Sequence, residues 1–178
     1  TSCEPVSLAE SFDNYPTCEE SCLATCNNTG TIWCNDINNN EQNWILTQGK
    51  TQTDFTGPDG DVNGSGKYLY IENNPQLCGA SNRAILQSTC MEIQSNPSGC
   101  DMSFYYHMFG EDIGSLRLDV SVDGGESWKA LFFANGNQGD KWIKHTLSLK
   151  AYDGQLGIFR FVGESGAGDR DKWYKYTH

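Results

Sequence analysis

The sequence predicts an all-β chain: a jelly-roll sandwich of two antiparallel sheets with a disulfide-stapled N-terminal loop segment. Three observations carry this. From Lys67 onward apolar and polar residues alternate with period two in short runs, the runs are bounded by Gly, Asn and Asp, and no stretch has a helical period. Short strands separated by glycine-rich turns are the pattern of two packed antiparallel sheets.

Lys67 to Asn73 sets Tyr68 and Tyr70 against Leu69 and Ile71, and Arg83 to Gln87 follows with Ala84, Ile85 and Leu86. Met102, Phe104, Tyr106 and Met108 form one apolar face, opposite the mixed face of Ser103, Tyr105 and His107. In Ser115 to Val122 the residues Leu116, Leu118, Val120 and Val122 point one way while Arg117, Asp119 and Ser121 point to a wet side. Ile143, His145, Leu147 and Leu149 alternate with Lys144, Thr146 and Ser148. The last run, Leu156, Ile158 and Val162 against Phe159 and Phe161, is apolar on both sides apart from Arg160, which predicts a central strand.

The 178 residues fit one domain spanning 1–178. Residues 1–43 lack periodic runs, and Cys34 to Asn43 is nearly all polar. This part reads as a cysteine-rich segment packed on a sandwich body of 44–178. No apolar run approaches the roughly 18 residues of a membrane helix. The opening Thr1-Ser2-Cys3-Glu4 has no signal-peptide core, which predicts a mature piece of a longer secreted or surface protein.

Twelve Lys and Arg against 23 Asp and Glu give a net charge of −11. That field opposes nucleic acid and anionic membranes and suits divalent cations, although solubility alone also explains it. Eight cysteines predict disulfides in an oxidising, extracellular compartment. Zinc is disfavoured, because no CxxC pair exists and His107, His145 and His178 lie far from the Cys18, Cys22, Cys26 and Cys34 cluster. Eight cysteines allow about 105 pairings, so spacing alone does not give the connectivity. The sequons at Asn27 and Asn63 agree with secretion.

Ser121-Val122-Asp123-Gly124-Gly125-Glu126-Ser127-Trp128 resembles the Asp-box hairpin, S-x-D-x-G-x-[ST]-W. Asp123 is placed to accept from the turn's own amides, the glycines supply positive φ angles and Trp128 covers the turn, so its role is structural.

Several segments in order resemble the MAM domain, the extracellular module of meprins, neuropilins and receptor-type tyrosine phosphatases. They are Asn43-Trp44, Thr56-Gly57-Pro58-Asp59-Gly60-Asp61, Gly66-Lys67-Tyr68-Leu69-Tyr70-Ile71-Glu72 and Arg83 to Ser88. They continue through Cys100 to Gly110, Ile113-Gly114-Ser115-Leu116, Gly136 to Trp142 and Phe159-Arg160-Phe161. The resemblance spans residues 33–169. The Asp-box turn and Glu10-Ser11-Phe12-Asp13 are more similar to the bacterial (Bacteroidetes) branch.

The resemblance implies a jelly roll that adheres or recognises rather than catalyses, and a structural calcium ion. The implied ligands are Asp61 and Asp13, with the backbone near Phe12, and Asp171 in the closing segment; Asp59 is not a family position and joins them only as a neighbouring carboxylate of the tight acidic turn Gly57 to Asp61. The family's usual closing strand is replaced by Asp169 to Tyr176, which departs from the pattern. Its closing cysteine is missing too, which points Cys100 to Cys90. Cys34 stands at the family's second cysteine, which implies a Cys3–Cys34 bridge, and Cys18, Cys22, Cys26 and Cys78 pair in an unresolved order.

No catalytic constellation stands out. Glu111 and Asp112 are adjacent in a turn, where side chains diverge, His107 belongs to the family's Tyr-His-Met run, and oxidised cysteines offer no thiolate. The expected function is therefore a non-enzymatic extracellular recognition or adhesion module, binding a protein or polysaccharide and compatible with a homo-oligomer. The alternative is a carbohydrate-binding module serving a polysaccharide-degrading enzyme, with Trp142, Trp173, Tyr152 and Asn137 as ligand contacts. Trp128, Asn135 and Gln138 lie near them in sequence, and core or rim packing is the competing role for Trp128 and Trp142.

Overall fold

The computed structural model describes residues 4–5, 9–18, 22, 32–72, 78, 82–94 and 100–166. Strands β1 to β11 cover Glu4–Pro5, Trp33–Asn35, Ile45–Gln48, Lys67–Tyr70, Arg83–Ser88, Met91–Glu92, Asp101–Met108, Ser115–Ser121, Lys129–Asn135, Gly139–Ser148 and Leu156–Glu164. A single 3₁₀ turn, Lys150–Tyr152, is the only helical element among the described residues. The fold is the all-β sandwich the periodicity predicts, with one parallel contact, β1 on β6.

The large sheet is organised around β11, which pairs with β5 on one side and β8 on the other, its first residues reaching β6. β9 extends it beyond β8 and β2 beyond β5. This central position is why β11 is apolar on both faces. β7 and β10 form one antiparallel pair and β3 and β4 another.

Alternate residues of the large sheet point inward, among them Ala84, Leu86, Leu116, Leu118, Val120 and Phe159, and with Met108, Leu149 and Trp44 they form the main core. The β7 ring of Phe104 meets Phe161 of β11 edge-on at 5.0 Å and Phe132 of β9 at 5.2 Å. The β3–β4 pair packs through Trp44 and Ile71 against bare backbone at Gly163, where a Cβ would come 2.5 Å from Ile71 Cδ1. Its other face, Ile45, Tyr68 and Tyr70, forms a small second cluster with Trp142 and Cys18.

Strands β2 and β8 depart from expectation, and β9 is a strand that the alternation does not mark. The N-terminal segment 1–43 is expected to be loop, yet Trp33–Asn35 is a strand whose Trp33 is buried. The side of β8 expected to be wet is not: Asp119 and Ser121 are each 2% exposed, while Val122 has left the strand and is exposed. Period two assigns residues to faces but does not say whether a face is covered.

The Asp-box turn forms as expected. Asp123 accepts from Ser121 Oγ at 2.7 Å, from the Ser127 amide at 2.9 Å and from the Ser127 hydroxyl, and these bonds hold its carboxyl far below the usual range. Gly124 and Gly125 take φ of 76° and 98°. Trp128 Nε1 closes the turn on the Gly125 carbonyl at 3.2 Å.

Cys22 and Cys78 form a disulfide, and Cys18 and Cys90 are also disulfide-bonded. Cys34 and Cys100 are free, which corrects the expected Cys3–Cys34 and Cys90–Cys100 bridges and the expectation that every cysteine is oxidised. The topology gives the reason. Cys34 is exposed on β2, opposite Gln87, at one end of the strand order, whereas Glu4, which follows Cys3, lies in β1 at the other. Cys100 is half-buried against the main core, its carbonyl taking the Leu149 amide at 2.7 Å. Burial, with Asp101 and Asp153 nearby, pushes its thiol up, so it is a poor nucleophile. Cys3 and Cys26 lie outside the described residues.

Candidate functional site

The structure brings Asp13 and Asp61 together at Gly66. Asp61 Oδ1 accepts the Gly66 amide and Asp13 Oδ1 the Lys67 amide, both at 2.8 Å. A Cβ on Gly66 would sit 2.6 Å from Asp61 Oδ2 and 2.9 Å from Asp13 Oδ1, so both carboxylates crowd one point that only glycine leaves open. Burial alone would raise the Asp61 pKa. The amides of Gly66, Asn63, Ser65 and Gly64 outweigh it and hold the carboxyl below its ordinary value.

Glu10 positions the first of these segments. Its carboxylate accepts the Phe12 amide at 2.8 Å and the Tyr15 hydroxyl at 3.4 Å, holding Phe12 at φ 62°, a left-handed angle unusual for a bulky residue. Lys67 Nζ donates to the carbonyls of Asp13 at 2.9 Å and Tyr15 at 2.5 Å, fastening the segment to β4. Neither Glu10 nor Lys67 was anticipated; the adjacent Gly66-Lys67 before a strand was the available signal.

The second segment is fastened through Trp142. Its indole N–H donates to the Gly60 carbonyl at 2.9 Å, and its ring meets Tyr68 at 5.6 Å and His107 at 5.4 Å. Gly57, at φ 67°, donates its amide to the Phe109 carbonyl at 3.0 Å. The acidic turn is thereby pinned to β10 and to the end of β7.

Two converging carboxylates, each with one oxygen taken by an amide, are the donor chemistry that a hard divalent cation would use. Asp13 and Asp61 would hold it, with Phe12 contributing backbone. Asp59 is exposed, with Lys50 as its charged neighbour, and Asp171 lies outside the described residues. No cluster of three acidic, His or Cys side chains occurs among the described residues, so water would supply much of the shell.

The three expected ligand contacts among the described residues each make a local contact. Trp142 secures the acidic turn. Tyr152 packs against the main core with Lys129 Nζ 5.7 Å above its ring, and Asn137 Oδ1 accepts the Gly139 amide at 2.8 Å. Trp173 lies outside the described residues.

His107 is sealed: its side chain is 3% exposed, beside Trp142 and Phe109, with Nε2 3.1 Å from Asp140 Oδ1. Burial lowers its pKa and Asp140 opposes that. The folded state therefore favours the neutral ring. As pH falls below about 6.5 the unfolded chain takes up the proton first, so stability present above that pH is lost through the window down to the folded pKa. Melting curves between pH 7.5 and 5 should show a larger loss in Asp140→Asn than in the parent, and a smaller one in His107→Gln.

A family model for the MAM domain, described as meprin/A5/mu, matches residues 12–172. The chain belongs to the MAM family. This MAM domain is 30% identical to human neuropilin-1 over 132 residues, 71% of the chain and 13% of that protein. It is 28% identical to the thyroid hormone-induced protein B of Xenopus laevis over 121 residues, 67% of the chain and 17% of the relative. It is 38% identical to the MAM domain-containing glycosylphosphatidylinositol anchor protein 1 of Gallus gallus over 101 residues, 54% of the chain and 10% of the relative. The chain thus spans under a fifth of the length of these relatives. No helix among the described residues is long and apolar enough to cross a membrane.

Proposed function

We propose that this MAM domain is a non-catalytic extracellular recognition or adhesion module of a larger secreted or surface protein, with an extracellular protein or polysaccharide as partner. The observation that carries this reading is where its side chains are spent. Both described histidines are packed against rings, His107 as above and His145 on Phe104 and Phe132, whereas the large rings of Phe55 and Phe133 stand in solvent. Phe55 is 91% exposed and sits at φ 62°, paying for strain and for apolar exposure at once. A ring presented at such a cost suits contact with a partner. The names of its relatives agree, one being a glycosylphosphatidylinositol anchor protein.

A calcium ion between Asp13 and Asp61 belongs to the same reading. When bound, it would relieve repulsion between the carboxylates and tie residues 9–18 to the loop before β4. An ion bound only by the native state adds roughly 2.7 kcal/mol at a hundredfold excess over Kd. Melting curves of the parent should rise with calcium and fall with a chelator, and Asp61→Ala should lose that response. A calcium-independent melting temperature, or an undiminished response in Asp61→Ala, contradicts the site.

A further inference from the structure

We propose that the outer face of the large sheet binds an acidic sugar, with Arg117 and Arg160 taking its carboxylate or sulfate and Phe133 lying against the ring. The proposal rests on the recognition-module reading and names a site for it.

Residues paired across an antiparallel ladder share a face. Arg160 pairs with Asp119, and Arg117, two residues before Asp119, pairs with Phe133. These four side chains are therefore neighbours on the face turned away from the core. Asp119, only 2% exposed, lies beneath two guanidinium groups: Arg117 Nε is 2.8 Å from its Oδ1 and Arg160 Nε 3.0 Å from its Oδ2. Arg160 is held a second time, its guanidinium carbon 3.9 Å above the Trp128 ring. Arg117 Nε makes no aligned hydrogen bond despite its proximity. The Nη groups of both arginines have no protein acceptor among the described residues.

Two guanidinium groups over one carboxylate leave one positive charge on a chain of net −11. Arginine forks match carboxylate and sulfate oxygens in bidentate fashion, and side chains already fixed by Asp119 and Trp128 lose less freedom on binding. The wider field decides the kind of anion. A densely charged polymer would be repelled by the rest of the domain, whereas one acidic group on an otherwise neutral glycan meets only the local charge. Phe133, 62% exposed beside Arg117, offers the apolar surface that separates a sugar from a bare anion.

The test is an NMR or calorimetric titration with four probes: a disaccharide bearing one glucuronate, the same disaccharide bearing one sulfate ester, the neutral disaccharide, and acetate. At least one acidic disaccharide should bind about tenfold or more tighter than the neutral one, and the two arms tell carboxylate from sulfate. Arg117→Lys, which keeps the charge and loses the fork, should weaken that binding about tenfold. Phe133→Ser should weaken the disaccharide and leave acetate unchanged, and the melting temperature of each variant reports that it is folded. No binding of either acidic disaccharide, equal binding of the neutral one or of acetate, or an unchanged Arg117→Lys would each overturn the site. A chain that adheres to cells or matrix but ignores acidic sugars loses only this site; a chain that adheres to nothing loses the recognition reading.

Discussion

Replacing Cys22 and Cys78 together by serine is expected to cost about 4 kcal/mol, the loop entropy released when a bridge between residues 56 apart is removed from the unfolded chain. The bridge ties the cysteine-rich segment to the turn before β5. Flanking it, the Asn43 amide donates to the Cys22 carbonyl at 2.9 Å, the Cys18 amide to the Leu46 carbonyl at 2.9 Å and the Leu46 amide to Cys18 Sγ at 3.4 Å. Those bonds keep the segment in register but do not limit the unfolded ensemble. A loss of this size is a large share of the 5–15 kcal/mol usual for a domain, so denaturant midpoints of the variant and parent should differ clearly. Coincident midpoints contradict the account.

Gly114→Ala is expected to cost about 3 kcal/mol, near the upper range for overpacking, because the atoms it meets are backbone. A Cβ there would enter the Glu164 carbonyl and lie 2.8 Å from the carbonyl carbon and oxygen of Ser165. Gly166 lies equally close to the Asp112 carbonyl and donates its amide to it at 3.1 Å, so the β7–β8 loop rests flat on the end of β11. The same substitution at Gly124, whose Cβ would meet nothing, is the control for space. Its φ of 76° still imposes strain, so the comparison is of size, with Gly114→Ala the more damaging by thermal melting.

The strands were legible wherever one face is covered and the other is not. β7 and the second half of β10 alternate cleanly, β8 alternates in sequence although both its faces are covered, and β11 betrayed its central place by being apolar on both sides. β9 did not announce itself, since Ala130-Leu131-Phe132-Phe133-Ala134 is a nearly continuous apolar run and the register slips between Leu118 and Asp119 of its partner. β2 was hidden because only Trp33 among its three residues is buried. The acidic pair was legible only through resemblance: nothing in the spacing of Asp13 and Asp61 says that Gly66 lies between them. The Arg117–Asp119–Arg160 group was missed because alternation labels a charged residue as wet, whereas two arginines can cover an aspartate completely. The free thiols of Cys34 and Cys100 followed from topology, which spacing does not encode.

The recognition reading is tested most directly by a saturation isotherm of this MAM domain, displayed as a tetramer, on cultured cells and on extracellular matrix. Saturable binding to one of these surfaces, weakened several-fold by Phe55→Ser or Phe133→Ser with melting temperature retained, is the predicted result. Binding no greater than that of an unrelated β-sandwich of equal charge, or binding indifferent to both phenylalanines, contradicts it.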